Sequence, residues 1–329
     1  MQSMEQSQFT IWTNANLPVK EAEQLAVSVL PHRLLYATEM SSLNLKACPP
    51  DLQLAQADIA FGQPDADQII RSPKLKWIHL TTAGYTPYDR DDLREALRKR
   101  NAWLTTSSGV YDEPCAQHVL AMMMAFARRL PESLETQRTD CSWPADERRE
   151  RSFLLNGQTA LIVGFGEIAT RLCELLAPFR MKLLGVRRRV RGDEAIQLIE
   201  ESQLAEYLPH ADHIIDVLPA NGSTLAYFDA RKFQRMKRGA YFYNIGRGAT
   251  VDQNSLEEAL RSGMLAGAYL DVMTPEPLTP NHALWRTPNC YITPHSAGGY
   301  DREMAGLVEH FIENLRRFGS GQPLLNRIT

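Results

Sequence analysis

Short apolar runs alternate with polar segments along the first third of the chain. The runs have the length and the β-branched or aromatic content of buried strands. They lie at residues 9–12 (FTIW), 33–36 (RLLY), 57–62 (ADIAFG), 75–80 (LKWIHL) and 102–106 (AWLTT). Residues 19–30 and 91–99, between these runs, have the pattern of helices. Because strands that alternate with helices form parallel sheets covered by helices, we predict an α/β domain.

The same alternation returns in the second half of the chain and predicts a second α/β domain. Its predicted strands lie at residues 159–164, 182–186, 213–217, 240–245, 266–272 and 290–292. Near the end of the chain, apolar residues recur with the spacing i, i+3, i+4, i+7, which places them on one face of a helix. These residues are Met304, Leu307, Val308, Phe311, Ile312 and Leu315.

The segment YDEPCAQHVLAMMMAFARRLPE lies between the two alternating regions and predicts a helix. Asp112 can cap its start, and Pro114 suits a first helical turn. Apolar residues cover almost every face of residues 119–127, so we expect this helix to be buried all round, between domains or in a dimer. Residues 131–153 are charged and lack an apolar period, and we predict a surface connection there.

Composition narrows the class of protein. The chain is 44% hydrophobic and 23% charged with a formal net charge of -3, which is ordinary for a globular protein and gives no support to nucleic-acid binding. The five cysteines are scattered and lack CxxC spacing, so we expect reduced thiols and neither a disulfide framework nor a metal site. The first residues do not resemble a secretory signal, and the longest apolar run is too short for a membrane span. We predict a cytoplasmic protein.

The stretch ALIVGFGEIATRL places two glycines between a strand and a helix. Gly164 permits a tight turn, and Gly166 lets the backbone approach a pyrophosphate. The amide groups and the dipole of the helix that begins near Glu167 and Ile168 would hold that pyrophosphate, while Ala169 takes the place of a third glycine. We therefore predict a dinucleotide site; a tight turn without a ligand is the alternative.

Arg187, Arg188 and Arg189 follow the next predicted strand. An NAD site usually has an acidic residue at this position, which accepts a hydrogen bond from the ribose 2′-hydroxyl. A 2′-phosphate instead takes bidentate, charge-assisted bonds from arginine. We therefore predict NADP as the cofactor, with NAD as the second choice; a solvated loop is the alternative reading of these arginines.

One cation, two acids and one imidazole follow the later strands of the second region. They are Arg247, Asp271, Glu276 and His295. Ligands of open α/β sheets bind outside the carboxyl ends of the strands, so these groups should meet at one edge. Each alone could be a helix cap or a loop residue. Together, beside a nucleotide site, they predict a reaction centre.

These motifs resemble those of the D-2-hydroxyacid dehydrogenases. YNIGRGATVD, AYLDVMTPEPL and ITPHSAGG are similar to the Arg, Glu and His motifs of that family, VGFGEIA to its nucleotide motif and LKWIHLTTAGY to its substrate loop. The resemblance extends from about residue 57 to residue 328. Ala169, Glu167 and Gln117 depart from the family pattern, and none of the three belongs to the reaction centre.

The resemblance implies the reversible reduction of a 2-keto acid to a D-2-hydroxy acid by hydride from the nicotinamide. His295 would protonate the carbonyl oxygen, and Glu276 would bond the other ring nitrogen and favour the imidazolium. Arg247 would hold the substrate carboxylate and polarise the keto oxygen, and the amides of Ala83 and Gly84 would also bind that carboxylate. Formate dehydrogenases pair their histidine with glutamine, so the glutamate here indicates acid–base chemistry.

The resemblance also implies a cofactor site. Asp271 would accept a hydrogen bond from the nicotinamide amide, and Leu218 and Pro219 would line the dinucleotide. The complete predicted cofactor set is Gly164, Gly166, Glu167, Ile168, Arg187, Arg188, Arg189, Leu218, Pro219, Ile245, Gly246, Arg247, Asp271 and His295. No residue is assigned to a metal.

We therefore predict two doubly wound parallel-sheet α/β domains, with a Rossmann-type cofactor domain inserted into a flavodoxin-like substrate domain. The substrate domain would comprise residues 1–108 and 296–329, and the dinucleotide-binding domain residues 109–295. The arginines favour a reductase of the glyoxylate or hydroxypyruvate type, and the family resemblance also implies a homodimer. The alternative function is a dinucleotide-sensing scaffold with little turnover, like the C-terminal-binding corepressors, which have the same fold.

Overall fold

The computed structural model describes residues 8–41, 48–188, 190 and 196–329, and Arg189 lies outside this part of the chain. The polypeptide divides into two compact units. The first unit comprises Met1–Tyr111 and Tyr300–Thr329, and the second comprises Asp112–Gly299. Each unit is built on one parallel sheet. The prediction of two parallel-sheet α/β domains is confirmed.

The sheet of the first unit has five parallel strands in the order β2-β1-β3-β4-β5, which is the flavodoxin-like order. The strands are β1 (Thr10–Thr13), β2 (Arg33–Tyr36), β3 (Ile59–Gly62), β4 (Trp77–Leu80) and β5 (Trp103–Thr105). The helices that connect them are α1 (Val19–Ser28), α2 (Ala66–Arg71) and α3 (Asp91–Lys99). All five strands coincide with predicted apolar runs; β3 and β4 are buried at every residue, whereas the edge strand β2 begins and ends at exposed residues.

Helix α4 (Ser108–Ala127) carries the chain from the first unit into the second. It begins at Ser108, so the predicted start at Asp112 is wrong, and Pro114 lies inside the helix. The amide of Val110 donates to the carbonyl of Ser107, which closes a turn before the proline. In the single chain Ala121 is exposed, so burial of this helix on all sides stays a prediction for a dimer.

The second unit has seven parallel strands in the order β12-β11-β10-β9-β6-β7-β8, a Rossmann order with one strand added. Its strands are β6 (Thr159–Val163), β7 (Lys182–Arg187), β8 (Gln197–Glu200), β9 (His213–Asp216), β10 (Ala240–Asn244), β11 (Leu265–Leu270) and β12 (Cys290–Ile292). Its further helices are α5 (Leu130–Arg138), α6 (Ala145–Arg151), α7 (Glu167–Leu176), α8 (Leu204–Tyr207), α9 (Ala230–Arg235) and α10 (Gln253–Arg261).

Two features of the second unit differ from the prediction. Residues 131–153 contain α5 and α6 rather than an irregular connection, although neither helix has a buried residue. Short helices that bury no side chain do not need an apolar period, and the sequence pattern therefore misses them. Strand β8 was also not predicted; it lies at the edge of the sheet, where two of its four residues are exposed.

The last helix, α11 (Glu303–Gly319), returns to the first unit. Its predicted apolar face is confirmed: Leu307, Val308 and Phe311 are completely buried. The ring of Phe311 stacks on Phe61 of β3 and Trp77 of β4, with centroid distances of 4.3 and 5.2 Å. In the part of the chain that the structure describes, no helix has the length and apolar character needed to cross a membrane.

Candidate active site

The glycine turn between β6 and α7 has the geometry of a phosphate cradle. Gly164 has a φ of +95°, and a Cβ there would lie 2.9 Å from the carbonyl group of Val217, so only glycine fits. A Cβ on Gly166 would meet no atom of the described residues within 4 Å. Helix α7 begins at Glu167, and Ala169 is completely buried. The open space beside Gly166 at a helix N-terminus fits a pyrophosphate.

A cavity of about 770 Å³ adjoins this turn, a volume within the usual range of small-molecule sites. Five of the predicted cofactor residues line it: Gly164, Arg187, Arg188, Leu218 and Pro219. Arg187 ends β7 and is half-buried, whereas the neighbouring Arg188 is exposed. The third predicted arginine, Arg189, is outside the described residues. The cavity therefore combines the glycine turn with two cations, and the acidic Glu201 also lines it.

Ile245 and Gly246 lie beside the loop that contains Leu218. The amide of Ile245 donates to the carbonyl of Asp216 at 3.1 Å. A Cβ on Gly246 would lie 2.6 Å from the carbonyl oxygen of Leu218, so a larger residue would displace that loop. This close approach connects the cofactor loop to the turn that carries Arg247.

Arg247 lies in a turn directly after β10. The side chain of Asn244 holds this turn at both ends: Nδ2 donates to the carbonyl of Arg247 at 3.1 Å, and Oδ1 accepts from the amide of Gly246 at 3.0 Å. Burial lowers the pKa of Arg247, while the charges of Glu276 and Cys115 act in the opposite direction. Since arginine keeps its charge in proteins, the turn presents a partly desolvated cation.

His295 and Glu276 form a hydrogen-bonded pair, with 2.8 Å between Nδ1 and Oε2. The amide of Met273 donates to the other carboxylate oxygen, Oε1, at 2.9 Å. Burial acts to raise the pKa of Glu276, but the hydrogen bonds from His295 and Met273 and the charges of His295 and Arg247 outweigh it, and the pKa is lowered. The carboxylate therefore stays ionised and fixes a proton on Nδ1.

The carboxylate of Asp271 holds the loop that carries His295. It is 2% exposed and accepts from the Thr293 hydroxyl at 2.6 Å and from the amides of Ser296 and Ala297 at 2.8 and 3.0 Å. The amide of His295 donates to the carbonyl of Asp271 at 2.8 Å, and the backbone of His295 has a φ of +52°. Three of the roughly four acceptor positions of a carboxylate are therefore used within the protein.

The predicted substrate loop of the first unit follows β4. Ala83 and Gly84 are half-buried, and among the described residues no acceptor takes a hydrogen bond from either amide. The hydroxyl of Thr82 donates to the carbonyl of Gly84 at 2.6 Å. Gln63 supports this arrangement from the neighbouring strand end, because its Nε2 lies 3.1 Å from the hydroxyl oxygens of both Thr81 and Thr82.

Sequence reasoning missed Gln63 and Asp216, although each stands at the carboxyl end of a predicted strand. Gln63 directly follows β3, and Asp216 is the last residue of β9. The rule that singled out Arg247 and His295 would also have found these two residues.

Comparison with known proteins gives a consistent picture. The family profile described as D-isomer specific 2-hydroxyacid dehydrogenase, NAD binding domain, matches residues 120–297. Glyoxylate reductase from Thermococcus litoralis is 33% identical over 283 residues, which cover 82% of this chain and 81% of that protein.

Solved structures extend the similarity over almost the whole chain. A D-isomer specific 2-hydroxyacid dehydrogenase family protein from Aeromonas salmonicida is 30% identical, with a TM-score of 0.76 and coverage of 98% of this chain and 99% of that one. An NADPH-dependent glyoxylate/hydroxypyruvate reductase from Sinorhizobium meliloti, in complex with NADP and sulfate, is 23% identical. Its TM-score is 0.76 over 97% of this chain and 98% of that one, a likeness of fold.

Proposed function

The chain belongs to the D-isomer specific 2-hydroxyacid dehydrogenase family, and we propose that it reduces glyoxylate or hydroxypyruvate with a preference for NADPH. Because the chain belongs to this family and has glyoxylate reductases among its relatives, it is an oxidoreductase that acts on CH–OH groups and a 2-keto acid reductase. When bound, the dinucleotide supplies the hydride. The observation that carries the proposal is the 2.8 Å distance between Nδ1 of His295 and Oε2 of Glu276. The charge of Arg247 also acts on Glu276 and helps to lower its pKa.

In this proposal His295 is the proton donor of the reduction. In the protonated ring, Nδ1 donates to Glu276, and Nε2 delivers its proton to the carbonyl oxygen as the alcohol forms. In the reverse direction, the neutral imidazole takes that proton back. A general acid at this point lowers the barrier because negative charge develops on the oxygen in the transition state.

Arg247 binds and polarises the keto acid. Its guanidinium forms a bidentate pair with the substrate carboxylate and stabilises charge on the keto oxygen. The amides of Ala83 and Gly84 bind the same carboxylate. Asp271 holds the His295 loop through its three hydrogen bonds, and its remaining acceptor position suits the nicotinamide amide. We accordingly assign substrate binding to the first unit and dinucleotide binding to the second.

The remaining cofactor residues hold the other parts of the dinucleotide. Gly164, Gly166 and the amides of Glu167 and Ile168 receive the pyrophosphate, as the open space beside Gly166 allows. Leu218, Pro219, Ile245 and Gly246 form the wall next to the nicotinamide ribose. No metal ion takes part in this mechanism.

Arg187 and Arg188 select NADPH. Because two charge-assisted bonds to the 2′-phosphate are lost, replacing both arginines by serine lowers the ratio of kcat/KM for NADPH over NADH by about 10- to 100-fold. The exposed Arg231→Ser on α9 is the matched control and leaves the ratio unchanged. A wild-type enzyme that prefers NADH would contradict the assignment.

A panel of 2-keto acids tests the activity itself. Consumption of NADPH is measured with glyoxylate, hydroxypyruvate and pyruvate, and the product is analysed for the D configuration. We expect the first two to be the better substrates. A protein that binds NADPH but turns over none of the three would instead be the dinucleotide-sensing scaffold.

We also propose a homodimer in the cytoplasm. Helix α4 leaves Ala121 exposed and Leu120 and Met124 half-buried, and Trp143 between α5 and α6 is 92% exposed. A second copy would remove this apolar surface from water. The free cysteines suit a reducing compartment. Sedimentation at micromolar concentration tests the dimer, and a monomer there would contradict it.

A further inference from the structure

The carboxyl group of Asp216 stands at the end of the middle strand of the second sheet and has no part in the mechanism described above. Asp216 ends β9 and is completely buried. Its Oδ1 accepts from the amide of Leu218 at 2.9 Å. Among the described residues no cation forms a salt bridge with it, which is unusual for a buried carboxyl group.

Three oxygen atoms form a chain of close contacts between Asp216 and Arg247. Oδ2 of Asp216 lies 2.5 Å from the hydroxyl oxygen of Thr250, which in turn lies 2.6 Å from the carbonyl oxygen of Arg247. Two oxygens approach this closely only when a proton lies between them. The hydroxyl of Thr250 has one proton and the carbonyl has none. The second proton must therefore belong to Asp216.

We propose that Asp216 is held as a neutral carboxylic acid and is a positioning residue for Arg247: it donates to Thr250, which donates to the Arg247 carbonyl. The proposal rests on the proposed function in that it takes Arg247 as the substrate-binding cation. Burial raises the pKa of Asp216 to about 7, although hydrogen bonds that the Thr250 hydroxyl and the Leu218 amide can donate to the ionised form act to lower it.

The neighbours of Asp216 are compatible with the neutral form. Asn244 of β10, which pairs with Asp216 in the sheet, is uncharged. Tyr227, before α9, is a titratable neighbour among the described residues; burial raises the pKa of its phenol, which therefore also stays uncharged. The guanidinium of Arg247 forms no salt bridge with Asp216 among the described residues; its Nη1 donates to the carbonyl of Gly246 at 2.6 Å.

The same carboxyl group also holds the loop of Leu218 through the amide hydrogen bond. Gly246 lies against that loop and directly precedes Arg247. Asp216 thus fixes the cofactor loop with one oxygen and the arginine turn with the other. When Asp216 loses its proton to solvent, the Thr250 hydroxyl turns to donate to the carboxylate, and the Arg247 carbonyl loses its hydroxyl donor. The turn then keeps the bonds from Asn244 Nδ2 and the Thr250 amide.

Infrared difference spectroscopy of the complete protein tests the protonation state without any substrate. We expect wild type at pH 6, compared with Asp216→Asn, to show the carbonyl stretch of a protonated carboxylic acid, which fades as the pH rises through about 7. Asp212→Asn, at the opposite end of β9, is the matched control and keeps the band. A wild type without this band at pH 6 would overturn the proposal.

Kinetics test the connection to Arg247. Asp216→Val and Thr250→Val each remove the donor and raise KM for the keto acid by about tenfold with a smaller change in kcat. Asp216→Asn offers an amide N–H to Thr250 and restores most of the loss, as does Thr250→Ser. If KM for the keto acid rises as much in Asp216→Asn as in Asp216→Val, the proposal is overturned. The spectroscopic result stands whether or not the protein reduces keto acids, so the two proposals fail separately.

Discussion

The side chains at the carboxyl edges of the two sheets differ in charge. At the edge of the first unit, Asn14, Gln63 and Thr81 are neutral and at most 3% exposed. At the edge of the second unit stand the ions Arg247 and Glu276, with His295 beside them.

The two edges show how one topological rule serves two purposes. Parallel strands bring their carboxyl ends together in both sheets, and ligands of such sheets bind there. Neutral amides and hydroxyls position a group without competing for its proton, whereas an imidazole beside a carboxylate can transfer one. We therefore place the proton transfer and the charged substrate contact of Arg247 in the second unit, and the neutral positioning groups in the first. The following changes test that division.

The largest effect is expected at His295. His295→Asn removes the proton donor and should lower kcat by about 10²- to 10⁴-fold. Dinucleotide affinity, followed by quenching of protein fluorescence, should change little. His210→Asn, at an exposed histidine of the same unit, is the control and should retain full activity. Near-normal turnover of His295→Asn would remove the distinction between the two edges.

Replacement of Arg247 should have the second-largest effect on activity. Arg247→Ala loses a charge-assisted contact that is stronger in the transition state, worth about 3–4 kcal/mol. We expect kcat to fall and KM for the keto acid to rise, with a combined loss in kcat/KM of about 10²- to 10³-fold. Added guanidinium should recover part of the activity. A variant that alters only the KM for NADPH would contradict the substrate role.

Substitutions at the carboxyl edge of the first sheet should have a weaker effect on activity. Gln63→Leu removes the two hydrogen bonds to Thr81 and Thr82, worth about 1 kcal/mol each, and loosens the loop of Ala83 and Gly84. We expect KM for the keto acid to rise by about tenfold, while kcat changes little. The exposed Gln56→Leu is the control. A large fall in kcat with unchanged KM would place proton transfer in the first unit as well.

Thr82→Val should have the smallest effect. It removes the hydroxyl that donates to the carbonyl of Gly84 and keeps the shape of the side chain. We expect KM to rise by about three- to fivefold, with recovery in Thr82→Ser, because one hydrogen bond contributes about 1 kcal/mol. Steady-state kinetics with glyoxylate measure this change. Equal losses in the valine and serine variants would show that the hydroxyl is not responsible.

Much of the architecture was predictable from the sequence because buried parallel strands are apolar and turns between them contain glycine. Gly164 shows why: a Cβ would collide with the carbonyl of Val217, so the turn itself selects the residue. In the structure, His295 and Glu276 are hydrogen-bonded, as the family resemblance implies. Their catalytic roles remain our proposal.

Other features depend on tertiary contacts that the chain pattern does not contain. Pro114 indicated a helix start, but the hydrogen bond from Val110 to Ser107 begins α4 earlier. Asp271 was assigned to the cofactor from the family resemblance, whereas its bonds to Thr293 and the following amides exist only after β11 and β12 have paired. A partner 22 or more residues away in the sequence leaves no local signal.

The pH dependence of kcat/KM for glyoxylate in wild type and Glu276→Gln tests the central claim most directly. Glu276 stays ionised because its pKa is lowered, and its Oε2 holds Nδ1 of His295 at 2.8 Å. Glutamine cannot provide this charge beside the proton donor, and the account predicts that kcat/KM of the variant is about 10²-fold lower over the whole profile. Superimposable profiles for the two proteins would contradict it.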